Sequence, residues 1–164
     1  MAGYQIYGNF IQPGAVYYPT KNEVVEEMIR LSKVGPKDRL VDLGSGDGRI
    51  IIAAAKLGAR AVGYEINPLL VIKSRKLIRK EGLEKLAKVE WKSLWKVNFK
   101  GVSVVSVYLM PNLMKKLEKL IRRKTDKPLR VISNDYQFPE LKPSKRKGNI
   151  FLYEFKRLDQ RKVK

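Results

Sequence analysis

Cysteine and histidine are both absent from the 164 residues. The first absence excludes disulfides and any route through a thiolate nucleophile. The second removes imidazole as metal ligand, general base or nucleophile, and together they exclude thiolate or imidazole metal sites; no metal is expected. Chemistry must run on carboxylates, hydroxyls, amides, backbone groups or a bound cofactor. Long apolar runs are missing too. No stretch approaches the roughly 20 residues of a membrane-spanning helix, and residues 102–110, the longest candidate, are interrupted by Ser103 and Ser106. The opening MAGYQIYGNFIQPG lacks a basic start followed by an apolar core, so no secretory leader is expected and the cytoplasm is the expected location. Acidic residues are scarce: 16 Asp and Glu face 35 Lys and Arg, a formal charge of +19. Such a surface attracts nucleic acid or acidic proteins in a salt-dependent way. Thermophile enrichment in lysine would bring glutamate with it, whereas this excess is one-sided.

What is present suffices for one globular core, with 44% hydrophobic residues and no internal repeat. The expected organisation is a single domain over residues 1–157, N-terminal arm and first helix included, with a basic tail at 158–164. Residues 17–35 predict a helix, with Thr20 and Glu23 in capping-box spacing and Val24, Met28 and Leu31 on one face, Val25 and Ile29 beside them. Strands are expected at 37–44 and 59–65, with a helix at 47–58 between them. Asn67 and Pro68 cap and start a helix over 68–82. Further strands are expected at 86–94, 102–110, 129–136 and 150–157. Leu113, Leu117, Leu120 and Ile121 mark one more helix, and a turn-rich basic stretch runs to Asn149. Strands alternating with helices indicate right-handed βαβ units around a mostly parallel sheet, an α/β fold of Rossmann type. Ligands of such sheets bind at the carboxyl ends of the strands, beside the first one.

The sequence VDLGSGDGRI, residues 41–50, falls at that place. A Walker loop would end in Gly-Lys-Ser/Thr, which is missing. A dinucleotide fingerprint, G-x-G-x-x-G, would put its third glycine where Arg49 stands. The observed D-x-G-x-G-x-G phase looks instead like motif I of S-adenosylmethionine-dependent methyltransferases. Gly44 and Gly46 let the backbone pass the cofactor's ribose and aminoacyl arm, with Ser45 between them. Asp42 is placed to reach the cationic aminoacyl end, and Gly48 is expected to let the following helix pack closely on the strand. No diphosphate needs neutralising, so the turn tolerates Asp47. Glu65 ends the second strand, where an acid accepts ribose hydroxyls. NAD sites use the same device, so it discriminates only in combination with the glycine phase.

Three blocks, YYPTKNEVVEEMIRL, LVDLGSGDGRIIIAAAKLGARAVGYEINP and SLWKVNF, resemble the small seven-β-strand protein-lysine methyltransferase family over about residues 17 to 155. Its members include archaeal broad-specificity lysine methyltransferases and the mitochondrial enzymes acting on the ATP synthase c-subunit and the adenine nucleotide translocase. The resemblance implies S-adenosylmethionine as cofactor and protein lysines as acceptors. It also implies that Tyr18, Pro19 and Thr20 fold over the cofactor, and that Glu65 binds ribose with Ile66 and Asn67 beside the adenine. Family members often carry Asp or Asn before the Leu-Trp pair; here Ser93 precedes Leu94, a shorter contact to the adenine amino group. Trp91 and Trp95 either flank the adenine or belong to the core, and core is expected of at least one. The mitochondrial members have an anchoring segment before the domain; this chain starts almost at it, so no membrane partner is expected.

A lysine acceptor must lose its proton first, since its free pKa is about 10.4. A narrow aromatic channel beside a sulfonium disfavours the ammonium, so a strong base is not required. Two stretches are expected to line it, Tyr108 to Asn112 after the fourth strand and Asn134, Asp135, Tyr136 and Phe138 after the fifth. Tyr108 and Tyr136 are expected walls, with Asp135 holding or deprotonating the amine. The Asn/Asp-Pro-Pro-aromatic motif of amino-base methyltransferases does not occur at 108–112, which weighs against an adenine or guanine target. The rival reading is an RNA or DNA methyltransferase that binds nucleic acid through the basic surface. A lysine substrate is repelled by a +19 surface, so expected targets carry their lysines in acidic or flexible surroundings. The chain's own lysines are further candidates.

Overall fold

A computed structural model describes residues 18–125 and 127–156. The arm before Tyr18 and the tail at 158–164 lie outside the described residues. In chain order the elements are α1 (Asn22–Ser32), β1 (Arg39–Leu43), α2 (Arg49–Lys56), β2 (Arg60–Glu65), α3 (Pro68–Lys80), β3 (Ala87–Trp91), a 3-10 turn (Leu94–Lys96), β4 (Val104–Val107), α4 (Pro111–Lys124), β5 (Leu129–Asn134), β6 (Lys145–Lys147) and β7 (Ile150–Phe155).

The seven strands form one sheet in the order β3-β2-β1-β4-β5-β7-β6. The first five are parallel, and β7 inserts antiparallel between β5 and β6. Alternation along the strands sorts the core into two layers. Leu40, Ala61 and Val104 face α1, α2 and α3, while Val41, Leu43 and Val105 face Met114, Leu117 and Ile121 of α4. The chain leaves β1 for β2 on one side and reaches β4 on the other. The crevice at the carboxyl ends of β1 and β4 is therefore the switch point. No described helix is long and apolar enough to cross a membrane.

Several expectations need correction. Thr20 does not cap α1: the N-cap is Lys21, with no side-chain bond, and Thr20 is buried with its carbonyl accepting from Arg49. The buried stripe of α1 is Val25, Met28, Ile29 and Ser32, and Val24 and Leu31 lie at its margins. α2 begins at Arg49, because Gly48 is its left-handed N-cap. β3 ends at Trp91, and Ser93 opens the 3-10 turn by accepting from the Trp95 amide. β6, a strand of three exposed basic residues, lies in the stretch expected to be turns.

Candidate active site

A cavity of about 500 Å³ opens at the switch point. Its floor is the glycine turn between β1 and α2. Gly44 and Gly48 both have φ near +85°, and a Cβ on Gly44 would meet nothing within 4 Å, so its missing side chain leaves open space. Gly48 serves packing: a Cβ there would collide with Ser74 Oγ of α3. The close approach is thus to α3 rather than to the strand.

The acids divide the work. Glu65 is buried at the end of β2, where Oε2 accepts the Gly46 amide at 2.9 Å and Oε1 accepts those of Ile66 and Asn67 at 2.9 and 2.8 Å. One carboxylate thus holds both the glycine turn and the start of the β2–α3 loop, and it lines the cavity. Asp42 stands opposite Ser106 in the β1–β4 register and accepts its hydroxyl proton. Complete burial pushes its pKa up to about 7 against that hydrogen bond, and the Glu65 and Asp47 charges add to the rise. Asp47 goes the other way. Burial works against its charge, yet Arg49 and Lys73 outweigh burial and hold the carboxyl well below the usual range.

Arg49 is the link that sequence reading missed. Its Nε and Nη2 bond both Asp47 oxygens at 2.9 and 2.7 Å, and Nη1 donates to the Thr20 carbonyl at 2.5 Å. The segment before α1 is thereby fastened to the glycine turn, with Tyr18 and Thr20 on the cavity wall. Ser45 also lines the cavity, and its hydroxyl is buried without a partner. Gly63 of β2 makes room for it, since a Cβ there would lie 2.6 Å from Ser45 Cβ.

At the far wall Ile66, Ser93, Leu94 and Trp95 face the cavity. Asn67 does not: its side chain caps α3 by accepting from the Leu69 amide at 3.0 Å. Neither tryptophan is fully buried. Trp91 is 66% exposed and donates to the Ile66 carbonyl, and Trp95 is half-buried under the Lys116 ammonium.

The remaining wall is aromatic. Tyr108 meets Tyr18 edge-on at 6.5 Å and stacks on Tyr136 at 6.1 Å. Burial, with the neighbouring Asp135 carboxylate next, pushes the Tyr108 phenol well up and keeps it protonated. Asp135 is exposed beside this row and takes φ of 61°, a conformation that favours Gly, Asn and Asp. Asn149, on the turn before β7, fixes it: the Asp135 amide donates to the Asn149 carbonyl at 2.8 Å, and Asn149 Nδ2 donates to Asp135 Oδ1 at 3.2 Å. Asn134 is buried inside the β5–β7 pairing, and Phe138 packs in the core on Tyr153 and Phe155 instead of at the mouth.

The arrangement offers buried carboxylates and an unpartnered hydroxyl on one side and a row of tyrosines on the other. It suits a ligand with a cationic arm and an acceptor amine arriving over aromatic faces. A family model described as ANTKMT methyltransferase domain matches residues 42–145. The human lysine N-methyltransferase of the ATP synthase c-subunit is 41% identical over 127 residues, which are 77% of this chain and 54% of that protein. A protein-lysine N-methyltransferase of Saccharolobus islandicus (strain REY15A) is 33% identical over 127 residues, 76% of this chain and 79% of its own. Among solved structures, an RNA methyltransferase from Salinibacter ruber in complex with S-adenosyl-L-homocysteine superposes with a TM-score of 0.79 at 34% identity, covering 84% of this chain and 92% of that one. The chain spans only 53 to 61% of the length of the three mammalian relatives that act on the ATP synthase.

Proposed function

The chain belongs to the ANTKMT methyltransferase domain family, and from that premise we propose that it methylates lysine side chains of proteins with S-adenosylmethionine. The residues at the floor of the cavity fit that cofactor. Asp42, held half-protonated near neutral pH by burial, gains a countercharge from a cationic aminoacyl arm. The Ser45 hydroxyl gains a partner, and Glu65 keeps acceptor capacity beyond its three backbone donors for ribose hydroxyls.

The observation that carries the lysine reading is the row Tyr18, Tyr108 and Tyr136 with Asp135 beside it. Bound S-adenosylmethionine would supply a sulfonium methyl carbon, to which an acceptor nitrogen lone pair forms its bond in line as the C–S bond breaks and S-adenosylhomocysteine leaves. The protein's part is to present that lone pair. Asp135, in solvent at the mouth, draws in the ammonium. The tyrosine side chains then hold the amine out of bulk water, and desolvation beside the cationic sulfonium favours its uncharged form, the proton leaving to solvent. Tyr108 stays neutral, so it adds no negative charge that would stabilise the ammonium.

A second reading, methylation of RNA, has two supports: the +19 charge and the Salinibacter relative. The experiment that separates them is kinetic. On a lysine peptide, Tyr136→Ala should leave S-adenosylmethionine affinity unchanged and lower kcat by about tenfold or more, the loss of one wall of the channel. Loss of cofactor binding in a folded Tyr136→Ala chain would contradict this division of the cavity. Methyl transfer to RNA but to no lysine peptide would favour the second reading.

A further inference from the structure

α4 carries six basic residues, Lys115, Lys116, Lys119, Arg122, Arg123 and Lys124, and a single acid, Glu118. Glu118 is buried and holds Arg122 through two nitrogens, and Lys115 reaches Glu140 at 3.7 Å. Lys116, Lys119, Arg123 and Lys124 are exposed, and none forms an ion pair among the described residues. A solvated helix usually intersperses Glu and Lys at i,i+4. α1 shows the opposite bias, with Glu23, Glu26 and Glu27 against Arg30. α3 is as positive, with Lys73, Arg75, Lys76, Arg79 and Lys80 and no acid. None of its residues lines the cavity, whereas Met110 and Leu113 bring α4 to it.

That helix starts at the site. Its N-cap, Met110, is 52% exposed and lines the cavity, and the Lys116 ammonium sits 4.4 Å over the ring of Trp95, another cavity wall. Lys119 and Arg123 follow at three and seven residues from Lys116, on the same face. The row leads away from the mouth and spans about 10 Å at about 1.5 Å per residue.

We propose that the outer face of α4 docks an acidic segment of the substrate polypeptide, next to the target lysine. This rests on the lysine reading above and resolves its difficulty, since a lysine alone is repelled by this surface while flanking acids are attracted. An extended chain rises about 3.3 Å per residue, so acids about three residues apart match Lys116 and Arg123. The row favours a polypeptide over nucleic acid. It is mostly lysine, which lacks the bidentate phosphate fork of arginine, and the ring at its head, that of Trp95, is covered by the Lys116 ammonium where a base would have to stack.

The test uses the full chain and two fluorescent peptides with one central lysine. One peptide carries glutamates about three residues apart on one side of the lysine, matched to the row, and the other carries glutamines. At about 0.1 M salt the glutamate peptide should bind about tenfold more tightly in anisotropy titrations, with the advantage largely gone at about 1 M, where the Debye length falls to about 3 Å. The double change Lys119→Glu, Arg123→Glu should abolish the preference and leave kcat on the glutamine peptide unchanged. Equal affinity for the two peptides, or a preference that survives the double change, overturns the proposal. So does single-stranded RNA binding that the double change abolishes while the peptide preference persists. If the preference appears and is lost on charge reversal, yet neither peptide is methylated, the docking surface stands and the lysine reading falls.

Discussion

Ser106 donates its hydroxyl proton to the buried Asp42 carboxylate across β4 and β1, where the two residues stand opposite in register. One hydrogen bond does not compensate complete burial beside Glu65 and Asp47, and the Asp42 pKa sits near 7 instead of 3.8. Between those values the folded chain holds a proton that the unfolded chain has released. Stability without cofactor should therefore fall as pH rises from about 4 to about 7 and level off above, by on the order of 4 kcal/mol at most. Urea midpoints across that range should slope downward, and Asp42→Asn should flatten the slope. Cofactor affinity should move oppositely, rising with pH through about 7, because the cationic arm binds the ionised form. A pH-independent affinity in the unchanged chain would refute this role for Asp42.

Gly63→Ala tests the fit between β2 and the glycine turn. Ser45 Oγ could rotate away from a new Cβ, but Ser45 Cβ at 2.6 Å cannot, so the turn must shift. Calorimetry should show a stability loss of about 1–3 kcal/mol together with weaker cofactor binding. Full retention of both would show that the turn has slack.

Arg49→Ala should release the Tyr18–Thr20 segment from the cavity. The fold should persist while cofactor dissociation speeds up about tenfold, the loss of charge-assisted bonds to Asp47 and Thr20. Arg49→Lys should not restore it, because a lysine lacks the fork that spans both Asp47 oxygens and the Thr20 carbonyl. Stopped-flow dissociation of the cofactor measures this directly.

Asn149 aims Asp135. Asn149→Ala should raise KM for a lysine peptide about threefold to tenfold with little change in kcat or cofactor affinity, since the carboxylate that gathers the ammonium loses one restraint. The exchange Asp135→Asn with Asn149→Asp keeps a hydrogen-bonding pair but moves the charge. If the carboxylate must stand at 135, the exchanged chain should remain as impaired as Asp135→Asn alone.

The βαβ order, the glycine turn and Glu65 were legible because each is a local pattern: apolar runs of strand length, glycines at fixed phase, an acid closing a strand. The missed features depend on partners distant in sequence. Ser106 reads as an interruption of an apolar run until β4 pairs with β1. Arg49 reads as a break in a dinucleotide motif until Thr20 is brought to it. β6 has no apolar residue to signal a strand, and only its pairing with β7 defines it. Thr20 has capping-box spacing to Glu23, but burial against the glycine turn takes it away from the helix end. Phe138 follows the mouth residues in sequence, yet the chain turns it inward onto Tyr153.

The most direct test of the central claim is the fate of a labelled methyl group. The chain is incubated with tritiated S-adenosylmethionine and a lysate of its source, and portions are digested with protease or nuclease before the residue bearing the label is identified. The account predicts label lost to protease alone and recovered on lysine side chains. Label lost to nuclease alone, or recovered from protein only on residues other than lysine, would contradict it.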